Sequence, residues 1–590
     1  MSSSKTKLLL IVALLLIIGG GLLAYFIQTG GNTIKIKDIR YVGSDGLVNS
    51  ALLYIPPGVS KEKPAPGIVA YHGYINSRET QDAFAIEFAR RGYVVLSPDL
   101  TGHGFSDPPA FANGFGGPDA LKYLRSLDIV DLNNIGLEGH SMGGWANEVA
   151  ALAIPDGYKS IVMEDTVTGV VGLPEGTATF PRNMALVSAK YNEFSPFFYG
   201  VKVPADMVKT DKVKNIFGTT ETVEAGKLYG SIEAGTARKL YMLPMNHTRI
   251  HLSSEATGDA IEWMKLTLKG GKDIPVTNQT WYWKEIGTLI ALIGMVLLLF
   301  PLGQMLLQTD YFKALSEPTP EPKTAKGFGW LVAAIITIIL PVPAYIAAWV
   351  SKPYNSKGLP EASYIFPQYI TSVIMTCVLI VGVISLVLFL LWHLLSNRKK
   401  GASFVNYGLT WKDKGLDFVK IGKSFLLAAI ICFAAYLTLA ISGWAFTTDY
   451  RFWIFAVKPM TVLHFRIFLC YLIPFIAYFL ILGLCLHGQL RSGESATWKE
   501  MLINVFLLLT GFILFLLLQY VPLLSGGAMT LFDAHLPTIV LGQFLPMFTI
   551  VALVSTYFYR KTGHIYTGAF LCAMLVTWIV VAGTATQFAL

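Results

Sequence analysis

Residues 137–144 read Leu-Glu-Gly-His-Ser-Met-Gly-Gly (LEGHSMGG). A serine between glycines, at the end of a short apolar run, is either a nucleophile on a sharp bend or part of an ordinary turn. The apolar run is 134–137, and a helical pattern follows at 145–152. Gly139-His140-Ser141-Met142-Gly143 therefore matches G-x-S-x-G in a strand–turn–helix setting, the context a nucleophile elbow requires. The bend leaves no room for a Cβ at the glycine positions. It lifts the serine Oγ into the open at the head of a helix, where the dipole and free N–H groups favour developing negative charge.

Outward from this octapeptide, apolar runs alternate with helical patterns. Segments 34–42 and 47–55 read as an opening pair of strands. Apolar runs at 67–71, 93–96, 134–137 and 160–163 are separated by helical spacing at 83–91, 120–126 and 145–152. That alternation predicts a mainly parallel sheet with helices on both faces, whose ligands bind at the carboxyl ends of the strands. His72-Gly73-Tyr74 follows the 67–71 run. A turn there can aim a backbone N–H at an oxyanion, so the N–H groups of Tyr74 and Met142 are the expected oxyanion hole. His72 itself reads as a structural hydrogen-bonding residue.

The domain resembles the α/β-hydrolase (serine hydrolase) superfamily, in its microbial, membrane-attached branch. The carriers are YHGYINSRET (71–80), RRGYVVLSPDLTGHGFSD (90–107), GLEGHSMGG (136–144) and GKLYGSIEAGTARKLYMLPMNH (226–247). The resemblance spans roughly residues 35–270 and is specific for fold, not for substrate. It implies a catalytic triad in the chain order nucleophile, acid, histidine.

Of ten histidines, only His247 and His251 lie in this domain after Ser141. His247 follows the run 238–243, the expected last strand, and is the expected general base. His251, a helical turn further on, reads as a pocket-wall or surface residue. For the acid, three places qualify. The family's aspartate follows the strand that here reads 183–188, and that position holds Asn192. An asparagine can orient an imidazole but cannot stabilise its charge. Its neighbour Glu193 ranks first, Glu221 in GTTETV (218–223) second, and Glu164 with Asp165 after the 160–163 run third.

Composition divides the chain of 590 residues. Residues 30–280 look globular, whereas residues 285–590 are dominated by long apolar runs. All five cysteines (Cys377, Cys432, Cys470, Cys485, Cys572) lie in the apolar part, so the globular part has no disulfide framework. An apolar run of about twenty residues follows MSSSKTK and is long enough to span a bilayer; it lacks an A-x-A-like cleavage site and reads as an uncleaved anchor. About eight further spans are expected near 286–307, 329–350, 369–395, 424–446, 465–486, 501–520, 538–558 and 567–588. Sixteen basic residues fall on the side of Lys5 and Lys7, against five (Lys352, Lys357, Arg451, Lys458, Arg466) on the other. That bias places the N-terminus in the cytoplasm, and the globular domain and C-terminus outside. Trp281, Tyr282 and Trp283 suit an outer interfacial belt.

The formal charge of +8 is explained by these span-flanking cations. No basic stripe interleaved with aromatics exists, so nucleic acid is not an expected partner. There is no HExxH and no clustering of acids with histidines, so neither metal nor cofactor is expected. The expected architecture is an α/β-hydrolase domain (30–280) between an N-terminal anchor (1–29) and an all-α polytopic membrane domain (281–590). The expected function is a membrane-bound, extracytoplasmic serine hydrolase cleaving an ester or amide in an acyl ester, lipid or peptide. The membrane domain would anchor it among membrane lipids and deliver lipophilic substrate. The alternative is a catalytically degenerate hydrolase domain used for binding, with transport or sensing by the membrane half; Asn192 is its main support. The short interval after Asp165 argues against a large cap there, and residues 195–215 are the expected lid.

Overall fold

The N-terminal apolar run is one uninterrupted helix, α1 (Ser3–Gln28). The chain then alternates strand and helix through the globular part. The computed structural model describes residues 3–352, 361–491, 496–531 and 533–588; Lys357 of the outer basic residues lies outside them. Nine strands make one sheet: β1 (Lys35–Val42), β2 (Val48–Ile55), β3 (Ala65–Tyr71), β4 (Val94–Pro98), β5 (Val130–His140), β6 (Ser160–Glu164), β7 (Met184–Tyr191), β8 (Leu228–Tyr229) and β9 (Arg238–Asn246). Their order is β1-β2-β4-β3-β5-β6-β7-β9-β8. From β4 to β9 across the sheet the pairings are parallel, while β1, β2 and β8 join antiparallel at the edges.

Buried parallel strands place alternate side chains on opposite faces. In β6, Ile161 and Met163 enter one core and Val162 the other. Four helices cover the two cores: α2 (Asp82–Arg90), α3 (Gly117–Arg125), α4 (Met142–Ala153) and α5 (Ser254–Thr267). Leu121 and Leu124 of α3 and Ala146 and Ala150 of α4 close the first face. Phe84 and Phe88 of α2 and Ile261 and Met264 of α5 close the second. This is the α/β-hydrolase architecture expected from the alternation of runs.

The apolar half is helical: α6 (Tyr282–Leu306), α7 (Phe328–Ile339), α8 (Pro341–Val350), α9 (Tyr369–Trp392), α10 (Phe418–Phe446), α11 (Val462–Gly483), α12 (Thr497–Leu524), α13 (His535–Gly542), α14 (Phe544–Thr562) and α15 (Tyr566–Gly583). Helices α7 and α8 form one span, and so do α13 and α14. With α1, nine helical segments among the described residues are long and apolar enough to cross a membrane. The helices that lead into and out of the hydrolase domain, α1 and α6, pack backbone to backbone. A Cβ on Gly20 would fall on the Gly287 carbonyl, and one on Gly294 would lie 2.8 Å from the Ala13 carbonyl oxygen. Small residues at such contacts let two helices approach closely in lipid.

A buried ionic network joins the two halves. Arg451, between α10 and α11, pairs with Asp449 and donates to Thr80 Oγ1 at 2.9 Å and Ser77 Oγ at 3.2 Å, with Glu79 Oε2 3.5 Å away. Lys284 of α6 pairs with Asp82, which also accepts from the Tyr54 hydroxyl at 2.7 Å. Near the other end of the chain, the Thr586 N–H donates to Gly102 O and Thr586 O accepts from the Ala110 N–H, both at 2.8 Å. Removing one partner of a buried ion pair leaves the other charged and unpaired. Arg451→Ala is therefore expected to destabilise the protein by about 3–5 kcal/mol, read as a lowered thermal midpoint in detergent. An unchanged midpoint would show that the network does not hold the halves together.

Candidate active site

The bend at 139–143 follows from two contacts. A Cβ on Gly139 would meet the Gly143 carbonyl carbon at 2.5 Å, and one on Gly143 would fall on the Tyr71 carbonyl oxygen. With both Cβ atoms absent, β5 turns directly into α4. Ser141 takes the whole bend, with φ 56° and ψ −122°, a conformation that costs a non-glycine residue of order 1–3 kcal/mol and clusters at functional sites. Its N–H donates to Glu164 O at 2.9 Å, tying the bend to β6. Met142 opens α4, so its N–H is one of the four that have no acceptor within the helix.

The turn after β3 lies against this bend. A Cβ on Gly73 would come within 3.2 Å of Ser141 Cβ. His72 fixes the turn: its Nε2 accepts the Leu100 N–H at 3.0 Å, so Nδ1 carries the proton and donates to Gly73 O at 2.7 Å. His72 is thus used structurally, and Tyr74 shares cavity walls with Ser141 and Met142.

His247 follows β9, and its Nδ1 lies 2.8 Å from Asp165 Oδ2. Asp165 is the residue directly after β6, held at φ 46°. Its Oδ1 accepts from the Ala189 N–H and from Asn192 Nδ2, each at 2.8 Å. The expected ranking of acids is therefore corrected: Asp165, placed third, meets the imidazole. Asn192 occupies the family's usual acid position after β7 but serves the carboxylate, because its amide points at Asp165. Glu193, placed first, is turned to the backbone. Its Oε2 accepts the His247 N–H at 2.8 Å, while Oε1 accepts from Asn246 Nδ2 at 2.9 Å and from the Tyr520 hydroxyl of α12 at 2.8 Å. Glu221 is exposed, with its N–H bonded to Thr219 Oγ1 at 3.1 Å, and belongs to a surface turn.

Burial sets the protonation of the pair. It pushes the His247 pKa down to about 3, keeping the imidazole neutral at pH 7. It pushes the Asp165 pKa up to about 8, against the Ala189 and Asn192 donors that favour the carboxylate. Burial likewise raises Glu193, to about 7. His140 holds the far side: its Nε2 donates to His247 O at 3.1 Å and its ring centre lies 4.6 Å from that of His247. His251 lies 5.1 Å from His140, ring to ring.

Two cavities meet at Ser141. The smaller, about 50 Å³, is walled by Ser141, His140, His247 and His251, with Leu536 and Gln543 of the membrane half. The larger, about 690 Å³, is apolar and aromatic. Its hydrolase walls include Met142, Trp145, Phe194, Phe197 and Phe198; its opposite walls are Trp349 and Val350 of α8 with Leu531 and residues 533–537. His535 packs its ring 4.6 Å from Phe194. The expected lid at 195–215 contributes only its first turn. Met207 and Val213 are buried in the hydrolase core, and the membrane half supplies the roof.

A model of the Alpha/beta hydrolase family matches residues 69–223. An uncharacterized protein of Mycobacterium bovis and one of Mycobacterium tuberculosis are each 34% identical over 86 residues, covering 13% of this chain and 23% of theirs. The chain thus spans about a quarter of the length of the curated relatives it matches. Among solved structures, a Pyrococcus furiosus esterase is similar at 18% identity, over 41% of this chain and 96% of that one, with a TM-score of 0.29. A hydrolase from Pseudomonas aeruginosa is similar at 14% identity, over 39% and 98%, with a TM-score of 0.28.

The elbow is testable without any substrate. Gly143→Ala drives a methyl group into the Tyr71 carbonyl, and overpacking of this kind costs about 1–3 kcal/mol. The expected result is a lowered thermal midpoint; an unchanged midpoint would mean that β3 does not confine the bend.

Proposed function

We propose that this protein is a membrane-embedded serine hydrolase of the α/β-hydrolase type that cleaves a carboxylic ester or amide. One observation carries the reading: Asp165 holds Nδ1 of a neutral His247, and His247 shares the wall of one small cavity with Ser141. With Nδ1–H given to Asp165, Nε2 carries a lone pair and can act as a general base.

Ser141 Oγ attacks the substrate carbonyl while its proton passes to His247 Nε2. The N–H groups of Met142 and Tyr74 receive the oxyanion. The carbonyl carbon's bond to the leaving group breaks, and that group takes the proton from His247. Water then attacks the acyl-enzyme, again through His247, releasing the acid and restoring Ser141. A cavity of about 50 Å³ beside Ser141 and His247 has room for that water. Asp165 stabilises the imidazolium that forms in each half-reaction. The excess of basic residues on the far side of the bundle supports a cytoplasmic N-terminus and an extracytoplasmic hydrolase domain.

The rival reading, a degenerate binding domain, rested on Asn192. With a carboxylate on Nδ1 and Asn192 bonded to that carboxylate, it loses its support.

A fluorophosphonate probe tests the proposal: it is expected to label the full-length protein and to lose all labelling in Ser141→Ala. Folded wild-type protein that stays unlabelled would refute it. Asp165→Asn is expected to lower kcat by about four decades, whereas Glu193→Gln, which keeps an acceptor for the His247 N–H, should retain most activity. The reverse ranking would restore Glu193 as the acid. The active form needs a neutral His247 and an ionised Asp165. Activity therefore rises with pH through about 8, the range to which burial raises Asp165. Asn192→Leu removes a donor that lowers the Asp165 pKa, so the rising limb should move to higher pH in the pH profile of kcat/KM.

A further inference from the structure

We infer that the site takes the acyl chain of a lipid ester, drawn sideways from the bilayer leaflet on the hydrolase side through a portal between α8 and α12. The inference rests on Ser141 being the nucleophile for its chemical outcome, but not for the path.

The large cavity touches Ser141 and Met142 at one end, so a carbonyl at the nucleophile would leave its chain inside. The other end is made by the membrane half. Ile346, Val350 and Leu531 line this cavity and also line a second apolar hollow of about 630 Å³. That hollow lies between α8 and α12, with Val342, Ala347, Phe515 and Leu518 among its walls. It is open on the outside of the bundle, where Val350 is 82% and Leu518 51% exposed. Val350 ends α8 and Leu518 lies within the last two turns of α12, where a bilayer around these helices would bring lipid chains against them. The two spaces meet across three shared apolar side chains, Ile346, Val350 and Leu531, and this seam is the portal of the proposal, the point at which a chain would pass from the lipid-facing surface toward Ser141.

The composition of the path selects its occupant. Among the described residues no Lys or Arg lines either space, and Asp533 is their one charged residue. A phosphate or free carboxylate would find no cation there, whereas a neutral ester with an alkyl chain meets aromatic and aliphatic walls. The aromatic rings of Trp145, Phe197 and Phe198, stacked edge to face, bound the chain near the nucleophile. The polar headgroup stays outside the apolar space. Hydrolysis then transfers the acyl group to Ser141 Oγ, gives the proton to the departing alcohol, and with water yields a carboxylic acid.

Two measurements on the full-length protein in dioleoylphosphatidylcholine vesicles test this. First, Ser141→Ala protein is irradiated with a phosphatidylcholine carrying a diazirine at the end of one acyl chain. Cross-links are expected within 194–198 and at Trp145, walls that face the cavity, and should fall severalfold in the Ser141→Ala, Ala347→Trp double variant. Ala347 is an exposed wall of the outer hollow only, so an indole there narrows the portal without touching the core. Cross-links confined to the outer bundle surface, or unaffected by Ala347→Trp, would overturn lateral access. Second, turnover of a bilayer-embedded dodecanoyl ester is compared with that of a water-soluble acetyl ester. Each methylene kept from its apolar wall costs about fourfold, so an indole at 347 that denies the chain two methylenes of contact should lower the long-to-short ratio by about 16-fold. Leu514→Trp, on an exposed lipid face of α12 that lines neither space, should leave the ratio as it is. An equal loss for both esters, or none, would overturn the inference. Cavity cross-links with no ester turned over would instead uphold the lipid path and refute the hydrolase.

Discussion

Two missing Cβ atoms govern the active centre. Because Gly143 can rest on the Tyr71 carbonyl, and Gly139 on Gly143, β5 and α4 join through a single residue. That residue, Ser141, takes up the backbone strain, and the strain is held by the parallel neighbours β3 and β6 rather than by the bend itself. Everything else at the site is placed relative to this point. Asp165 leaves β6 one residue beyond the Glu164 carbonyl that accepts the Ser141 N–H. His247 leaves β9 and reaches back to Asp165. Because the strands run parallel, their carboxyl ends lie in a row, and short loops suffice to bring residues 141, 165, 192 and 247 together.

Much of this was legible in the residues. The elbow was, because its pattern has a steric cause. The strands were, because a buried parallel strand needs a continuous apolar run, as at 160–163. The long apolar helices were, because uninterrupted apolar runs of that length have few other conformations open to them. The carboxylate that meets the imidazole was not, and the reason is geometric. Four acids and amides stand at the ends of β6 and β7 (Glu164, Asp165, Asn192, Glu193), and their order along the chain does not say which one faces the imidazole. The positive φ of Asp165 turns its carboxylate toward His247, while Asn192 and Glu193 turn to the carboxylate and to the backbone. An amide beside a carboxylate at the usual acid position was the available signal: it suggests a supporting donor rather than a lost acid. The roof was not legible either. Leu531 and residues 533–537 lie nearly four hundred positions after Ser141, and no local pattern connects them.

The two halves do not merely adjoin. The Tyr520 hydroxyl of α12 reaches Glu193, and Glu193 in turn holds the backbone of His247. The indole N–H of Trp453 donates to Thr248 O at 2.7 Å, beside the same residue. The loop that carries the imidazole is thus braced from the membrane side as well as from β7 and β9. Burial of Arg451 and Lys284 against acids of the hydrolase domain would be costly if either half could leave. The catalytic geometry is a property of the joined molecule.

The glycine-lined contact between α1 and α6 has a bearing on how the chain is assembled. Both ends of the hydrolase domain emerge from one helix pair, so the domain is a large excursion between two adjacent rods. Its termini meet at a common root, as in domains that can be inserted into a host without disturbing it. The pair can zip together through Gly20, Gly287 and Gly294 only once the whole excursion has been synthesised. Seating of α6 beside α1 therefore closes the globular part at its base before the remaining helices gather around it.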